Sequence, residues 1–289
     1  MKKILVNNKH NRSDTTSKKF AYVSILTTDD YLPGLLVLDD SLKSVGSQYP
    51  LHVLLTSNIS KNIVDILEKK IISYSILGQE IINPTDVDIH HRWFPTYSKL
   101  AIFDQVQYEK IVYLDVDMLV LRNIDELFKS AHMSATNASG MLPRKKIDRR
   151  HLNLNSGLIV IKPSHALFND MMSKVGKIEI LKSGGGDKPI YGSDQDFINA
   201  YFPKWPDKHK LHLDHKYNIF HYHLDEYNKL FGYTIDDSPK TISIIHYASY
   251  LKPWNVNNNE LKDLTSNSEK SLEFKAVKLW IDRFNNMKS

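Results

Sequence analysis

Short apolar runs alternate with stretches of helical periodicity over the first 115 residues of the chain. β-Prone apolar runs predict strands over Phe20–Leu26, Leu51–Leu55, 71–77 and 111–114. Between them, apolar residues at helical spacing predict helices, marked by Leu35, Leu38, Leu42 and Val45, by Ile63, Ile66 and Leu67, and by the segment 97–106. Strand and helix in alternation predict βαβ units on a mostly parallel sheet, and therefore the α/β class.

The second half of the chain has weaker patterning. Residues 157–161 and 242–245 predict two further strands, the latter ending at His246. The polar, basic segment 137–152 predicts a solvated loop rather than a phosphate clamp. The glycines at 184–186 predict a flexible stretch, and no Gly-Lys-Ser/Thr follows them, so they do not form a phosphate-binding P-loop. A C-terminal helix that packs on the domain is predicted by the apolar stripe of Val277, Trp280, Phe284 and Met287.

The pattern predicts one ordered domain over 20–289 that includes this C-terminal helix. Residues 1–19 are rich in Asn, Lys, Ser and Thr, and we expect them to be disordered. No apolar stretch approaches transmembrane length, and the apolar run at 4–6 is too short for the core of a signal peptide. These features predict a soluble, cytoplasmic protein.

Composition narrows the chemistry that the domain can use. The 289 residues include no cysteine, which excludes disulfides, thiol nucleophiles and cysteine-ligated zinc. Lys and Arg number 38 against 33 Asp and Glu, which gives a formal net charge of +5. That excess suits a phosphate-bearing substrate, but it is too small and too dispersed to indicate nucleic-acid binding.

Two carboxylates, Asp115 and Asp117, directly follow the predicted strand at 111–114. In extended backbone, side chains two positions apart point to the same side, so these carboxylates repel each other unless a cation compensates them. Mg²⁺ and Mn²⁺ are held by one or two carboxylates and completed by water and phosphate oxygens. A solvated Asp-x-Asp turn is the common alternative, but open α/β sheets bind ligands at the ends of strands. The pair therefore indicates a metal–diphosphate site.

Several segments resemble glycosyltransferase family 8 in the same order along the chain, and most closely its glycogenin branch. They are TYSKL at 96–100, YLDVDMLVLRNIDELF at 113–128, NSGLIVI at 155–161, GSDQDF at 192–197 and IHYASYLKPW at 245–254. The resemblance implies a single GT-A domain with a Rossmann-like nucleotide-binding half. It also implies a UDP-sugar donor, Mn²⁺ or Mg²⁺, and transfer of a hexose, with glucose favoured, to a hydroxyl acceptor with retention of anomeric configuration.

The resemblance implies roles for individual residues as well. The metal ligands would be Asp115, Asp117 and His246, although His246 read alone would pass for a core histidine at a strand end. Catalysis would fall to Asp194 and Gln195 near the anomeric carbon, and to Lys252, which would stabilise the departing UDP. A helix N-cap is the alternative role for Asp194. The other donor contacts would be Ile25, Thr27, Thr28, Tyr31, Arg92, Lys99, Val116, Asn155, Ser156 and Ser249.

Several questions stay open on the sequence. Retention can use Asp194 as a nucleophile or, as we favour, attack by the acceptor on the face from which UDP departs. Ser249 replaces a glycine of the family, and self-glycosylation of the glycogenin kind would use Tyr222 or Tyr227. Other classes of function are a degenerate UDP-sugar-binding protein without transfer and a sugar-nucleotide phosphohydrolase. The resemblance also leaves a homodimer open, because glycogenin relatives pair up.

Overall fold

The computed structural model of the chain describes residues 19–78, 81, 95–137, 152–178, 193–249, 252–256, 260 and 271–287. Within them the strands are β1 Phe20–Leu26, β2 Leu51–Leu55, β3 Ser73–Ile76, β4 Lys110–Leu114, β5 Met118–Val120, β6 Ser134–Asn137, β7 Leu154–Ile161, β8 Ile219–Phe220 and β9 Ile244–His246. The α-helices are α1 Leu32–Ser44, α2 Lys61–Lys69, α3 His165–Lys174, α4 Asp194–Tyr201, α5 Leu224–Phe231 and α6 Leu272–Asn286.

A six-stranded sheet lies at the centre, in the order β3-β2-β1-β4-β7-β6. The first four strands are parallel, whereas β7 is antiparallel to β4 and β6 is antiparallel to β7. Along β1, Ala21, Val23 and Ile25 pack into one apolar cluster, while Tyr22 and Leu26 pack into another. Since successive side chains point to opposite faces, both faces of the sheet are covered, and its strands are continuous apolar runs. The predicted mixed, mostly parallel α/β fold is confirmed.

The topology brings three chain segments to one edge of this sheet. Strands β1 and β4 are adjacent and parallel, so the turn after Leu26 and the carboxylates after Leu114 lie at neighbouring carboxyl ends. Strand β7 runs in the opposite direction, so its beginning lies beside the end of β4. The backbone N–H of Asp115 donates to the carbonyl of Gly157 at 2.9 Å and joins the two strands there.

A second sheet completes this edge. Its order is β5-β9-β8, with β9 antiparallel to β5 and parallel to β8. Met118 pairs with His246, and the N–H of Tyr247 donates to the carbonyl of Asp117 at 2.9 Å. This register places the last residue of β9 beside the two aspartates, although the segments are distant in sequence.

The C-terminal helix α6 packs on the domain, as its apolar stripe predicts. Val277 and Trp280 are buried, and Phe284 and Met287 pack against the same cluster with partial exposure. Arg283 adds an ion pair to Asp40 of α1, with 2.7 Å between the charged atoms. None of the described helices is both long and apolar enough to cross a lipid bilayer.

Some predicted elements differ from those observed. The segment 97–106, predicted to be an α-helix, belongs to a 3₁₀ helix over Pro95–Asp104. The last strand is shifted from 242–245 to β9, and β7 begins three residues before the predicted strand. Strand β3 begins after Ile71, because this residue closes α2 with a left-handed φ of 57° and is 88% exposed. The predictions for residues 1–18, 138–151 and 184–186 lie outside the described residues.

Candidate active site

Asp115 is the more exposed of the two carboxylates that follow β4, with 24% of its side chain accessible. The hydroxyl of Tyr113 donates to Asp115 Oδ1 at 2.6 Å, and Lys99 Nζ lies 3.0 Å from the same oxygen. The other oxygen, Oδ2, lies 3.8 Å from His246 Nε2. Asp115 therefore holds one oxygen against the interior and presents the other toward the imidazole.

Asp117 is buried and has two cationic or potentially cationic neighbours. Lys252 Nζ lies 2.5 Å from Asp117 Oδ2, and His246 Nε2 lies 3.1 Å from Oδ1. Burial raises the pKa of Asp117, but the neighbouring His246 and Lys252 outweigh burial and hold the pKa well below its usual range. Asp117 is therefore a carboxylate anion at neutral pH.

Lys252 is fixed by three groups at the start of a 3₁₀ turn. Besides its contact with Asp117, its Nζ donates to the carbonyl of Tyr247 at 2.7 Å and lies 5.8 Å from the ring centroid of Tyr31. The Tyr31 ring in turn meets Trp254 edge-on, with 5.5 Å between centroids. The ammonium is therefore positioned between the carboxylate and the turn that follows β1.

His246 fits opposite the carboxylates because residue 157 is a glycine. A Cβ at Gly157 would lie 2.7 Å from His246 Cε1 and 3.0 Å from its Nδ1. The first of these distances is shorter than van der Waals contact allows, and the imidazole is a rigid ring. The glycine of the NSGLIVI segment thus allows β7 to pass directly beside the ring.

Asp115, Asp117 and His246 offer oxygen and nitrogen atoms that all lie within 4.8 Å of one another. We call these three residues the cation cluster. Two carboxylates and one imidazole form a donor set that suits a divalent ion such as Mn²⁺. The spacing and the donor chemistry both fit the metal site that the sequence predicts.

A second group of polar residues lies on the far side of Asp115. Lys99 Nζ lies 2.9 Å from Asp194 Oδ2 and donates to Ser156 Oγ at 3.2 Å. Ser156 donates twice, from Oγ to Asp194 Oδ2 at 2.9 Å and from its N–H to Gln195 Oε1 at 3.0 Å. We call Lys99, Ser156, Asp194 and Gln195 the Lys99 cluster. Burial lowers the pKa of Lys99, but Asp115 and Asp194 outweigh burial and raise the pKa above its ordinary value, so the ammonium stays charged.

Asp194 is the first residue of α4, and Ser193 is the N-cap. The N–H of Ser193 donates to Asp196 Oδ2 at 2.9 Å, so the capping contact belongs to the neighbours of Asp194. The alternative role of Asp194 as the helix cap is therefore wrong. Its carboxylate is turned toward Lys99 instead.

Helix α1, which follows the turn after β1, lies against the backbone between the two aspartates. A Cβ at Gly34 would lie 2.7 Å from the carbonyl oxygen of Val116, so a glycine is required where α1 approaches this segment. Ile25 lies at the end of β1 with 8% exposure, and Thr27 and Thr28 lead into a 3₁₀ turn over Asp29–Tyr31. The predicted base-binding residues therefore adjoin the carboxylate segment.

The two predicted self-glycosylation sites differ in exposure. Tyr222 is 39% exposed, and its ring packs on Phe220, whose ring meets His246 with 5.2 Å between centroids. Tyr227 is 2% exposed and belongs to the core around α6.

The structure brings together most of the predicted site residues at this edge, namely Ile25, Thr27, Thr28, Tyr31, Lys99, Asp115, Val116, Asp117, Asn155, Ser156, Asp194, Gln195, His246 and Lys252. Ser249 Oγ lies 3.4 Å from Nε2 of the buried His221. Arg92 lies outside the described residues.

Sequence reasoning missed Asn218, which contacts His246, and Gly34, which lies against Val116. Asn218 is 3% exposed and bonds to the ring of His246. The one available signal was a polar residue immediately before an apolar pair in the segment YNIF at 217–220. That signal is too weak to identify a site residue.

A mixed α/β sheet with an acidic pair at the end of a parallel strand, opposed by a histidine and a lysine, fits the GT-A class of glycosyltransferases that the sequence predicts. The family model for glycosyl transferase family 8 matches residues 22–258. The chain belongs to this family and is glycogenin-like.

Two curated relatives show the range of the family. Inositol phosphorylceramide glucuronosyltransferase 1 of Arabidopsis thaliana is 31% identical over 257 residues, covering 82% of this chain and 43% of the relative. Glycogenin-1 of Homo sapiens is 28% identical over 242 residues, covering 81% of this chain and 62% of the relative. The chain therefore spans less than two-thirds of the length of either protein.

Solved structures agree on the fold. The apo form of the glycosyltransferase GlyE of Streptococcus pneumoniae TIGR4 matches with a TM-score of 0.53 at 18% identity, covering 93% of this chain and 63% of that chain.

Proposed function

We propose that this chain transfers a hexose, with glucose the first candidate, from a UDP-sugar to a hydroxyl acceptor. The observation that carries the proposal is the position of the cation cluster between Lys252 and the Lys99 cluster. A cation site alone would serve a phosphohydrolase equally well. Here the cation site has an ammonium on one side, which suits a diphosphate, and buried groups that can hydrogen-bond to sugar hydroxyls on the other. Together they match both parts of a nucleotide sugar.

The nucleoside would lie in the turn after β1. Ile25, Thr27, Thr28 and Tyr31 would contact the base, and the backbone of Val116 would contact the ribose. The contact of α1 with the Val116 carbonyl supports this placement, since it brings the turn beside the cation cluster. The Tyr31 ring is an aromatic surface on which a pyrimidine can stack. Arg92 as a further donor contact stays a prediction.

The diphosphate would lie between the cation cluster and Lys252. Asp115, Asp117 and His246 would hold Mn²⁺, or Mg²⁺ in its place, and the bound ion would neutralise charge on the leaving diphosphate. Lys252 would add positive charge at the same position, and its contact with the Tyr247 carbonyl fixes the ammonium in advance. The hydroxyl of Ser249 would bind a phosphate oxygen.

The sugar would lie over the Lys99 cluster, where Asn155, Ser156, Asp194 and Gln195 would bind its hydroxyls. Asp194 Oδ2 is held by Lys99 and by Ser156, each at 2.9 Å. A carboxylate oxygen engaged by an ammonium and a hydroxyl is a weaker nucleophile, because its charge is already compensated. We therefore favour attack by the acceptor oxygen on the face from which UDP departs. The acceptor–C1 bond forms as the C1–UDP bond breaks, and the departing UDP oxygen takes the acceptor proton.

A panel of UDP-sugars tests the proposal. UDP-glucose, UDP-galactose and UDP-glucuronate are each incubated with the full chain and Mn²⁺, and UDP release is measured. The glucuronate arm is needed because the plant relative is a glucuronosyltransferase. We expect the fastest release from UDP-glucose. No release from any donor by the folded protein would contradict the proposal. Release of UMP with sugar phosphate would indicate a phosphohydrolase, and a thermal shift with UDP and Mn²⁺ without turnover would indicate a binding protein.

Asp117→Asn tests the cation cluster in the same assay. Loss of one carboxylate ligand removes charge from the site, so we expect UDP release to fall by at least about 100-fold, more than typical losses of outer contacts. The matched control is Asp237→Asn, because Asp237 is a carboxylate whose side chain is 95% exposed. Full activity of Asp117→Asn would remove Asp117 from the site.

Intact-mass measurement before and after incubation with UDP-glucose tests self-glycosylation. The greater exposure of Tyr222 makes it the better candidate, so we expect hexose increments that Tyr222→Phe abolishes and Tyr227→Phe retains. The reverse pattern would assign the acceptor to Tyr227. Pairing of two chains and a cytoplasmic location stay predictions.

A further inference from the structure

Two buried amides, Asn155 and Asn218, connect the imidazole of His246 to the backbone of β7. Asn218 is 3% exposed and Asn155 is 6% exposed. His246 Nδ1 lies 2.9 Å from Asn218 Oδ1, and Asn218 Nδ2 donates to Asn155 Oδ1 at 3.0 Å. The same Asn155 oxygen accepts from the N–H of Gly157 at 2.8 Å. These bonds form one continuous chain from a backbone N–H to the histidine ring.

The direction of each bond follows from the backbone N–H at its end. A backbone N–H only donates, so the Asn155 atom that faces Gly157 is the carbonyl oxygen. That oxygen also faces Asn218, which must therefore present its NH₂ group, and the second hydrogen of this group goes to Thr136 Oγ1 at 3.2 Å. The Asn218 carbonyl oxygen is then the atom that faces His246 Nδ1. Since this oxygen only accepts, Nδ1 carries the proton.

We propose that Asn218 is a positioning residue that holds His246 in the Nδ1–H tautomer, so that Nε2 offers a lone pair to a divalent cation. Nε2 lies 3.1 Å from Asp117 Oδ1 and 3.8 Å from Asp115 Oδ2. In the neutral Nδ1–H imidazole, Nε2 has no hydrogen for either carboxylate, whereas a cation among the three atoms satisfies all of them. The inference rests on the proposed metal-assisted function and adds to it the residue that prepares the third ligand.

The same bond fixes the orientation of the ring. Rotation of the imidazole by 180° would place Cδ2 against the Asn218 oxygen and Cε1 against Asp117, so the ring would lose its hydrogen bond to Asn218 and the Nε2 lone pair would no longer face the aspartates. Metal-bound histidines generally gain this orientation from a second hydrogen bond, made here by an amide that is itself oriented through Asn155. Asn155 uses its Oδ1 for this purpose, so a change at Asn155 acts on His246 as well as on any sugar contact.

Manganese binding without nucleotide tests the role of Asn218. Binding of Mn²⁺ to the full chain is measured by titration calorimetry for wild type and for Asn218→Leu, which has similar volume but no polar group. We expect binding to weaken by about 10- to 100-fold. Gln105→Leu is the matched control, because Gln105 is a buried amide, 3% exposed, that bonds to the Ala101 carbonyl rather than to the cation cluster. Equal affinity of wild type and folded Asn218→Leu would overturn the inference.

Nitrogen NMR of the wild-type protein tests the tautomer directly. This test does not depend on whether Asn218→Leu folds. With ¹⁵N-labelled histidine at about pH 8, above the ordinary histidine pKa of about 6.5, the His246 signals are assigned by comparison with His246→Gln. We expect a protonated Nδ1 and an unprotonated Nε2 that shifts on addition of Mg²⁺. A protonated Nε2 would overturn the inference.

These measurements separate this inference from the proposed transfer reaction. A wild-type protein that binds Mn²⁺ with the expected tautomer but releases no UDP from any donor supports the role of Asn218 and contradicts the proposed function. A wild-type protein that binds no Mn²⁺, with or without UDP, overturns both.

Discussion

Lys99 and Lys252 are both buried beside the aspartate pair, but the protein holds them in different ways. Lys99 contacts two carboxylates and a hydroxyl, all contributed by the edge of the central sheet and by α4. Lys252 contacts one carboxylate and one backbone carbonyl, next to the second sheet. Lys99 thus compensates the buried charge of Asp194 and the partly exposed charge of Asp115, whereas Lys252 compensates the charge of Asp117. The difference indicates that Lys99 contributes mainly to stability and Lys252 mainly to charge stabilisation during the reaction.

The largest effect on stability is expected for Lys99→Met. This change leaves Asp115 and Asp194 without their shared ammonium, and breaking a buried ion pair from one side costs about 3–5 kcal/mol. Urea unfolding measures the free energy of unfolding. The control is Lys278→Met, which removes an exposed partner of the equally exposed Asp282 and is expected to cost at most about 1 kcal/mol. Equal losses for the two variants would remove the structural role of Lys99.

Lys252→Met is expected to act on rate more than on stability. Removing one fixed donor from developing negative charge slows the chemical step by about 100-fold, and UDP release measures this rate. We expect a smaller loss of unfolding free energy than for Lys99→Met, because Lys252 contacts one carboxylate whereas Lys99 contacts two. An unchanged rate combined with a loss of stability as large as that of Lys99→Met would reverse the comparison.

Gly157→Ala is expected to disturb His246, which lies near Lys252, and to leave the contacts of Lys99 unchanged. The added methyl group would press on the His246 ring, and overpacking of this kind costs about 1–3 kcal/mol. We expect weaker Mn²⁺ binding in calorimetry, while the contacts of Lys99 with Asp115 and Asp194 remain. Wild-type affinity in the folded variant would mean that the ring can move without losing the cation.

Tyr113→Phe is expected to have the smallest effect on the free energy of unfolding. It changes the contacts of Asp115, the carboxylate that Lys99 also contacts. It removes the 2.6 Å hydrogen bond to Asp115 Oδ1, which Lys99 continues to contact. A hydrogen bond to a charged group contributes about 1.5–3 kcal/mol to the free energy of unfolding, and we expect the lower end of this range because Lys99 still compensates Asp115. The control is Tyr233→Phe, which removes an exposed hydroxyl–carboxylate bond to Asp214. A loss as large as that of Lys99→Met would show that the hydroxyl, rather than the ammonium, compensates Asp115.

The sequence predicted the central sheet better than the second one. Strands β1, β2 and β4 are buried on both faces, so their continuous apolar runs are visible without any structure. Strands β5, β8 and β9 have two or three residues each, which is too short for a periodic signal. Ile71 misled the prediction because its apolar side chain suggested a strand, whereas its left-handed backbone closes a helix.

The same contrast holds for the site. Asp115, Asp117 and His246 were predicted because they occur in motifs that follow each other in the same order as in the family. The structure brings the three residues together. Asn218 could not be predicted, because its role depends on a hydrogen bond to a residue 28 positions away. Local patterns show which residues have the right chemistry, but only tertiary contacts show which residues orient them.

The pairing of Met118 with His246 makes the proposed metal binding depend on the alignment of two very short strands. A slip of one residue would turn the imidazole to the opposite face of the ribbon. The bonds from Leu121 N–H to the Ser243 carbonyl at 2.8 Å and from Tyr247 N–H to the Asp117 carbonyl at 2.9 Å hold the two ends in place. If the proposed site binds Mn²⁺, a refolded preparation could recover its circular dichroism while a fraction of molecules lacks the imidazole ligand. The number of manganese ions bound per chain, rather than a spectrum, would then measure correct assembly.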